Sequence, residues 1–135
     1  MMLVSNVMLQ LDRFPVLKRD TIVKACLDEM SRYCLGIACI VDENGLLLGI
    51  FTDGDLRRRL LKSQKPLASF FVDDVLDHGT QTPLMIKDTD SLASAIALME
   101  QFQVWDLPVV DRSSYLVGLL HLHPAVKALM PSHNS

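Results

Sequence analysis

The stretch Val41-Asp42-Glu43-Asn44-Gly45-Leu46-Leu47-Leu48-Gly49 returns 69 positions later as Val110-Asp111-Arg112-Ser113-Ser114-Tyr115-Leu116-Val117-Gly118. Val, Asp, Leu and Gly stand in matching places. The same offset pairs Met30 with Met99 and Leu60 with Leu129. Upstream, an offset of 68 pairs Val4 with Val72, Val7 with Val75, Met8 with Leu76, Pro15 with Pro83, Asp20 with Asp88 and Thr21 with Thr89. A single inserted residue keeps register across nearly the whole chain, as a duplication does and chance does not.

Outward from the quoted stretch, both copies spell the same elements. Ile37 to Val41 is a solid apolar run, as in a strand covered on both faces. Asp42 to Gly45 is a turn, with Asn-Gly supplying the positive φ angles of a tight hairpin, and Leu46 to Phe51 is the return strand. Copy two gives Leu107 to Val110, a turn at Asp111 to Ser114, and Tyr115 to Leu120. An amphipathic helix precedes each hairpin, with Ile22, Val23, Cys26, Leu27 and Met30, then Leu92, Ala95, Ile96 and Met99, on the 3.6-residue period. Asp20 or Thr21, and Asp90 or Ser91, are placed to cap them.

A short lead-in helix (Val4 to Met8; Phe71 to Leu76) and an extended stretch around Pro15 or Pro83 stand before that helix. A closing helix follows each hairpin, Asp55 to Lys62 and Pro124 to Met130, the latter with proline at its first position. The order helix, strand, hairpin strand, helix, made twice, predicts an α/β (α+β) fold of two repeats. These span residues 1–62 and 70–131, with a polar linker at 63–69 and a tail at 132–135. One copy of about 60 residues is marginal alone. The expectation is one module with pseudo-two-fold symmetry and clefts where the copies meet.

Composition narrows the function. Thirteen basic against sixteen acidic residues give a net charge of −3, which argues against a general nucleic-acid binder. No apolar run approaches the roughly 20 residues of a membrane span. The start, Met1-Met2-Leu3-Val4, lacks the basic region of a signal peptide. Cys26, Cys34 and Cys39 sit in apolar patterns without a CxxC pair, as reduced thiols of a cytoplasmic protein would.

The sharpest chemical signal is Gly49-Ile50-Phe51-Thr52-Asp53-Gly54-Asp55-Leu56-Arg57-Arg58, at a strand-to-helix junction. Such a junction aims free N–H groups and the positive end of a helix outward, and a phosphate fits there. Thr52 offers a hydroxyl, Asp55 a carboxylate for ribose hydroxyls, Gly54 close backbone approach, and Arg58, with Arg57 and Arg59 beside it, a guanidinium. The competing reading is that Asp53 or Asp55 only caps the helix and the arginines are a solvated face.

His121-Leu122-His123 is a second signal. On a strand, both imidazoles share a face and line one cleft. Zinc would need further ligands that are not near in sequence, so cleft lining or solvation is preferred and no metal is assigned. His78 and His133 carry no signal. Trp105 and Tyr33 stand at helix-to-strand junctions, where core or interface packing is the first expectation for Trp105 and base stacking the second. No Ser-His-Asp or Cys-His arrangement and no P-loop is present.

The two copies resemble a tandem pair of CBS domains, a Bateman module. The resemblance rests on Gly49-x-x-Thr52-x-x-Asp55 after Val41, Asp42 and Gly45, and on Leu107-Pro108-Val109-Val110-Asp111 followed by Gly118. It implies that Thr52 and Asp55 hold the phosphate and ribose of an adenosine nucleotide (AMP, ADP or ATP) or a sugar nucleotide. It also makes Gly36, Ile37 and Ala38 adenine-contact positions, and implies no required cofactor and a homodimer built through CBS pairs.

Thr52-Asp53-Gly54-Asp55-Leu56-Arg57-Arg58 with Leu119-Leu120-His121-Leu122-His123 is further similar to the C-terminal CBS pair of bacterial D-arabinose 5-phosphate isomerases. Those are capsule and lipopolysaccharide sugar enzymes that carry an SIS-type sugar-isomerase domain. Sugar-nucleotide transferases with CBS pairs are an alternative parent. Copy two departs from the motif: Thr52 becomes His121 and Asp55 becomes Pro124, so one competent and one altered site are expected. The chain begins inside the first lead-in helix and has no residues for an SIS domain. The expectation is a regulatory segment, excised or stand-alone, and not an enzyme. A purely structural oligomerisation module is the alternative.

Overall fold

A computed structural model describes residues 1–62 and 64–129. Ser63, Met130 and the expected tail at 132–135, with His133, lie outside the described residues. A short 3-10 helix spans Val4–Asn6, where a fuller helix was expected. Then follow β1 (Val16–Lys18), α1 (Val23–Tyr33), β2 (Ile37–Val41), β3 (Leu47–Thr52) and α2 (Asp53–Lys62). The second half comprises α3 (Leu67–Phe71), α4 (Val75–His78), β4 (Ile86–Lys87), α5 (Leu92–Phe102), β5 (Asp106–Val110), β6 (Leu116–His121) and α6 (Leu122–Leu129).

Each copy forms one three-stranded sheet, β1-β2-β3 and β4-β5-β6, with the first pair parallel and the second antiparallel. The extended stretches after Pro15 and Pro83 are thus edge strands. β2 is buried at all five positions, as its unbroken apolar run requires. The hairpin turns differ from the Asn-Gly expectation, because φ is positive at one residue only: Gly45 (93°) and its counterpart Ser114 (69°). In each turn an aspartate closes the loop. Asp42 accepts from the N–H groups of Asn44 and Leu46, and Asp111 from those of Ser113 and Tyr115. A register shift follows at Ile40/Val41 and at Val109/Val110, as in a turn completed by a bulge.

The lead-in segments are exchanged between the copies. Val4 is fully buried in the core of copy two, among Ile86, Leu92, Met99 and Leu107. Phe70 and Val75 are buried in the core of copy one, among Leu17, Val23, Met30 and Phe51. The backbone ties are symmetric. Val4 N–H donates to Asp90 and Val75 N–H to Thr21; Leu9 pairs with Leu119 and Thr80 with Ile50. The true correspondence in this region is therefore Val4 with Val75 and Leu9 with Thr80, an offset of 71 and not 68. Val72, the identity partner of Val4, is 64% exposed while Val4 and Val75 are 0% exposed. From β1 onward the offset is 69, with Leu17 at the place of Ile86.

The helix Leu67–Phe71 takes in the end of the expected linker, 67–69, and supplies a core residue, Phe70. A third apolar layer, Phe14, Ile37, Cys39, Val41, Leu116 and Leu119, joins the two sheets. The hairpin tips meet there: Leu47 N–H donates to Ser114 and Leu116 N–H to Gly45. Burial pushes the Cys26 thiol up to about 12, and raises Cys39 further. α1 takes no side-chain cap from Asp20 or Thr21; its first N–H, from Val23, donates to Asp73 of the exchanged segment. Ser91 does cap α5, accepting from Ser94 N–H at 3.1 Å. No helix among the described residues is long and apolar enough to cross a membrane.

Candidate functional site

β3 runs directly into α2, which begins at Asp53, two residues before the expected start. Thr52 is the residue before the helix and Asp55 its third residue. Asp55 N–H donates to Thr52 Oγ1 at 3.2 Å, while Asp55 Oδ2 accepts from Thr52 N–H at 3.0 Å. This reciprocal pair is a capping box. The capping reading of Asp55 is thus realised. The carboxylate also accepts from Thr52 Oγ1 at 3.1 Å, from Arg58 at 2.7 Å and from Thr80 Oγ1 of copy two at 3.3 Å. The Asp55 side chain is only 7% exposed. It organises Thr52, Thr80 and Arg58 around itself, and a ribose that took this carboxylate would displace the bond from Arg58 or Thr80.

In front of this junction lies a cleft of about 700 Å³ between the copies. Copy one contributes Gly36, Ile37, Ile50, Thr52, Asp53, Gly54, Arg57 and Arg58; copy two contributes Thr80, Pro83, Leu84, Gln103, Val104, Trp105, Asp106 and His121. Of the residues singled out in the sequence, Gly36, Ile37, Thr52, Asp53, Gly54, Arg58 and His121 come together here. Ala38 is fully buried behind the wall, and Asp55 is the buried support beneath it. Gly36 lies against Asp53: a Cβ there would sit 2.6 Å from a carboxylate oxygen of that exposed side chain, which can swing aside, and Asp53 N–H donates to Gly36 O.

His123 is not in the cleft. The strand ends at His121 and α6 begins at Leu122, so the expected i, i+2 pairing of the histidines is lost and His123 lies exposed on the first turn. Pro124 is the third helical residue and does not start the helix. First-turn N–H groups have no intrahelical partner, so a proline costs little there. Trp105, for which core or interface packing was the first expectation, is not in the core but 70% exposed at the cleft wall. Among the described residues, no group of three or more His, Cys, Asp or Glu is placed to hold a metal.

Sequence reading missed Asp106, Thr80 and Leu84. Asp106 Oδ1 accepts from His121 Nδ1 at 2.7 Å. Burial raises the Asp106 carboxyl above its ordinary range, the bond to His121 opposes that, and the Asp53 carboxylate adds to the rise. The offset of 69 was enough to find Asp106, because it stands where Ile37 stands in copy one.

The CBS domain model matches residues 4–62 and 72–129, nearly the whole chain. An arabinose 5-phosphate isomerase, KdsD of Pseudomonas aeruginosa, is 35% identical over 126 residues, covering 93% of this chain and 37% of that protein. An uncharacterised protein of Chlamydia pneumoniae is 39% identical over 109 residues, covering 78% of this chain and 32% of the relative. The chain spans about a third of the length of the curated relatives it matches. Among solved structures, CBSX2 in complex with AMP superposes with a TM-score of 0.83 at 27% identity, covering 95% of this chain and 96% of that one. CBSX2 is a CBS-pair protein from Arabidopsis thaliana.

Proposed function

Because this chain belongs to the CBS domain family and carries two such domains in tandem, we propose that it is a regulatory module that binds an adenosine-type nucleotide in the cleft between its copies. The carrying observation is the convergence of the Thr52 hydroxyl, Gly54, the start of α2 and the Arg57 and Arg58 guanidinium groups on one wall of that cleft. These are the groups that hold a phosphate. Trp105 and the backbone at Gly36 and Ile37 form an apolar flank for a base. The AMP complex of CBSX2 supports the ligand class.

The likeness to KdsD supports descent from, or membership in, an arabinose 5-phosphate isomerase whose SIS-type domain does the chemistry, with this module regulating it. The repeats at 1–62 and 70–131 then act as one unit, in the reducing cytoplasm that suits the buried free thiols Cys26 and Cys39. Ligand occupancy biases how the module packs on its partner, a coupling typically worth about 1–3 kcal/mol. Calorimetric titration with AMP, ADP, ATP, S-adenosylmethionine and CMP-linked sugars tests the reading. Saturable binding to at least one, weakened by Asp55→Ala, is expected; silence across the panel overturns it.

A second reading, an oligomerisation module, is favoured by one observation. An apolar groove runs between α5 and α6 along Ile96, Met99, Val104, Leu122 and Val126, beside the exposed Phe102 and Trp105. Sedimentation giving a dimer whose thermal stability ignores every nucleotide would favour it over the first.

A further inference from the structure

Copy two has not simply lost the motif. In copy one, Ile37 and Thr52 face each other across β2 and β3; in copy two, Asp106 and His121 face each other across β5 and β6 at the same register. Both members of one cross-strand pair are exchanged together, and the new pair is bonded at 2.7 Å. Its carboxylate is 9% exposed and its imidazole 30%. An apolar residue suffices for the fold at this position, as Ile37 shows in copy one. A buried carboxylate kept where its charge is disfavoured, at the wall of a cleft, marks a site more than a packing choice.

The geometry also fixes the ring. An ionised carboxylate only accepts, so Nδ1 of His121 donates to Asp106 and the second ring nitrogen, Nε2, is left for the cleft. The charged groups that share this cleft are Asp53, Arg57 and Arg58 of α2 and Asp106 of β5. α6, which follows His121, carries His123 and Lys127. The arginines thus stand on the wall of copy one and His121 on that of copy two.

We propose that His121, held by Asp106, is a phosphate-reading residue that copy two lends to the nucleotide site of copy one, so that the ligand's phosphate clamps the two copies together. His121 contacts the ligand, and Asp106 acts through it as a positioning residue. The imidazolium donates Nε2–H to a phosphate oxygen, opposite the Thr52, Gly54 and Arg58 groups. The recognised class is a phosphorylated nucleoside, and the bare nucleoside gains nothing from the pair. The inference rests on the nucleotide-binding reading above.

The test is calorimetry of the full chain at pH 6 with AMP, ADP and ATP, and with adenosine as the phosphate-free control. Loss of a charge-assisted hydrogen bond lowers affinity about tenfold or more. His121→Gln and Asp106→Asn are therefore expected to weaken AMP at least about tenfold near pH 6 while leaving adenosine unchanged. Thermal melts of both variants verify folding. Variants that bind AMP as the wild type does, or that weaken AMP and adenosine alike, overturn the inference and leave the nucleotide reading standing. A wild type that binds none of the three nucleotides overturns both.

Discussion

The carboxylate of Asp55 accepts from the backbone and hydroxyl of Thr52, from Thr80 and from Arg58, so it holds together the strand-to-helix junction at the cleft. Removing it breaks the capping box and frees Arg58. Asp55→Ala is expected to cost about 1–2 kcal/mol of stability without nucleotide, read by urea denaturation. A cost near zero would mean that the cap is not formed. In the turn of the second hairpin, Ser114 holds φ at 69°, where its counterpart in the first is glycine. A non-glycine residue there is disfavoured by about 1 kcal/mol. Ser114→Gly should therefore raise the melting temperature, and Gly45→Ala should lower it. Gly49-x-x-Thr52-x-x-Asp55 was legible in the sequence as a strand-to-helix junction, and Thr52, Asp53 and Gly54 of that stretch line the cleft. The inward turn of Asp55 was not, because one of its partners, Thr80, lies far along the chain in the other copy. The offset of 69 reaches both His121 and Asp106, but their pairing was hidden, since only the strand register makes the two neighbours.

At the scale of elements, the hairpins and the two long helices followed directly from the quoted repeat, because strand burial and helical period are written in local apolar spacing. The short pieces did not follow. β1 and β4 are three and two residues long, too short to show any period. The lead-in segments were misaligned because identity at Val4 and Val72 competes with burial, which pairs Val4 with Val75. Gly49 and Gly118 were matched correctly, and the structure explains why both are glycine. Each lies where the exchanged segment crosses its neighbour's sheet. A Cβ at Gly49 would stand 2.7 Å from the Thr80 carbonyl oxygen, and one at Gly118 would stand 2.9 Å from that of Leu9. These are backbone atoms held in pairs, so they do not yield cheaply. Gly49→Ala and Gly118→Ala are each expected to destabilise by about 1–3 kcal/mol in chemical denaturation. Wild-type stability in both would show that the crossing is looser than described.

At the scale of the whole molecule, the exchange makes the sequence repeat and the folding unit different things. A fragment of residues 1–62 lacks Phe70 and Val75, which its sheet needs, and keeps Val4, which it cannot use. A half of about 60 residues is marginal even with its core intact. The 1–62 fragment alone is expected to lack cooperative unfolding by circular dichroism, and a sharp thermal transition would contradict the exchange. The same crossing brings Thr80, Trp105, Asp106 and His121 against the junction of copy one, so the cleft exists only in the joined pair. The chain has one tryptophan, and it stands at that cleft. The most direct measurement is therefore a titration of the intact chain with AMP, followed by Trp105 fluorescence. A saturable change, weakened about tenfold or more by Arg58→Ala, is the predicted result. Emission that stays flat into millimolar AMP, while calorimetry is equally silent, would contradict nucleotide binding in the cleft between the copies.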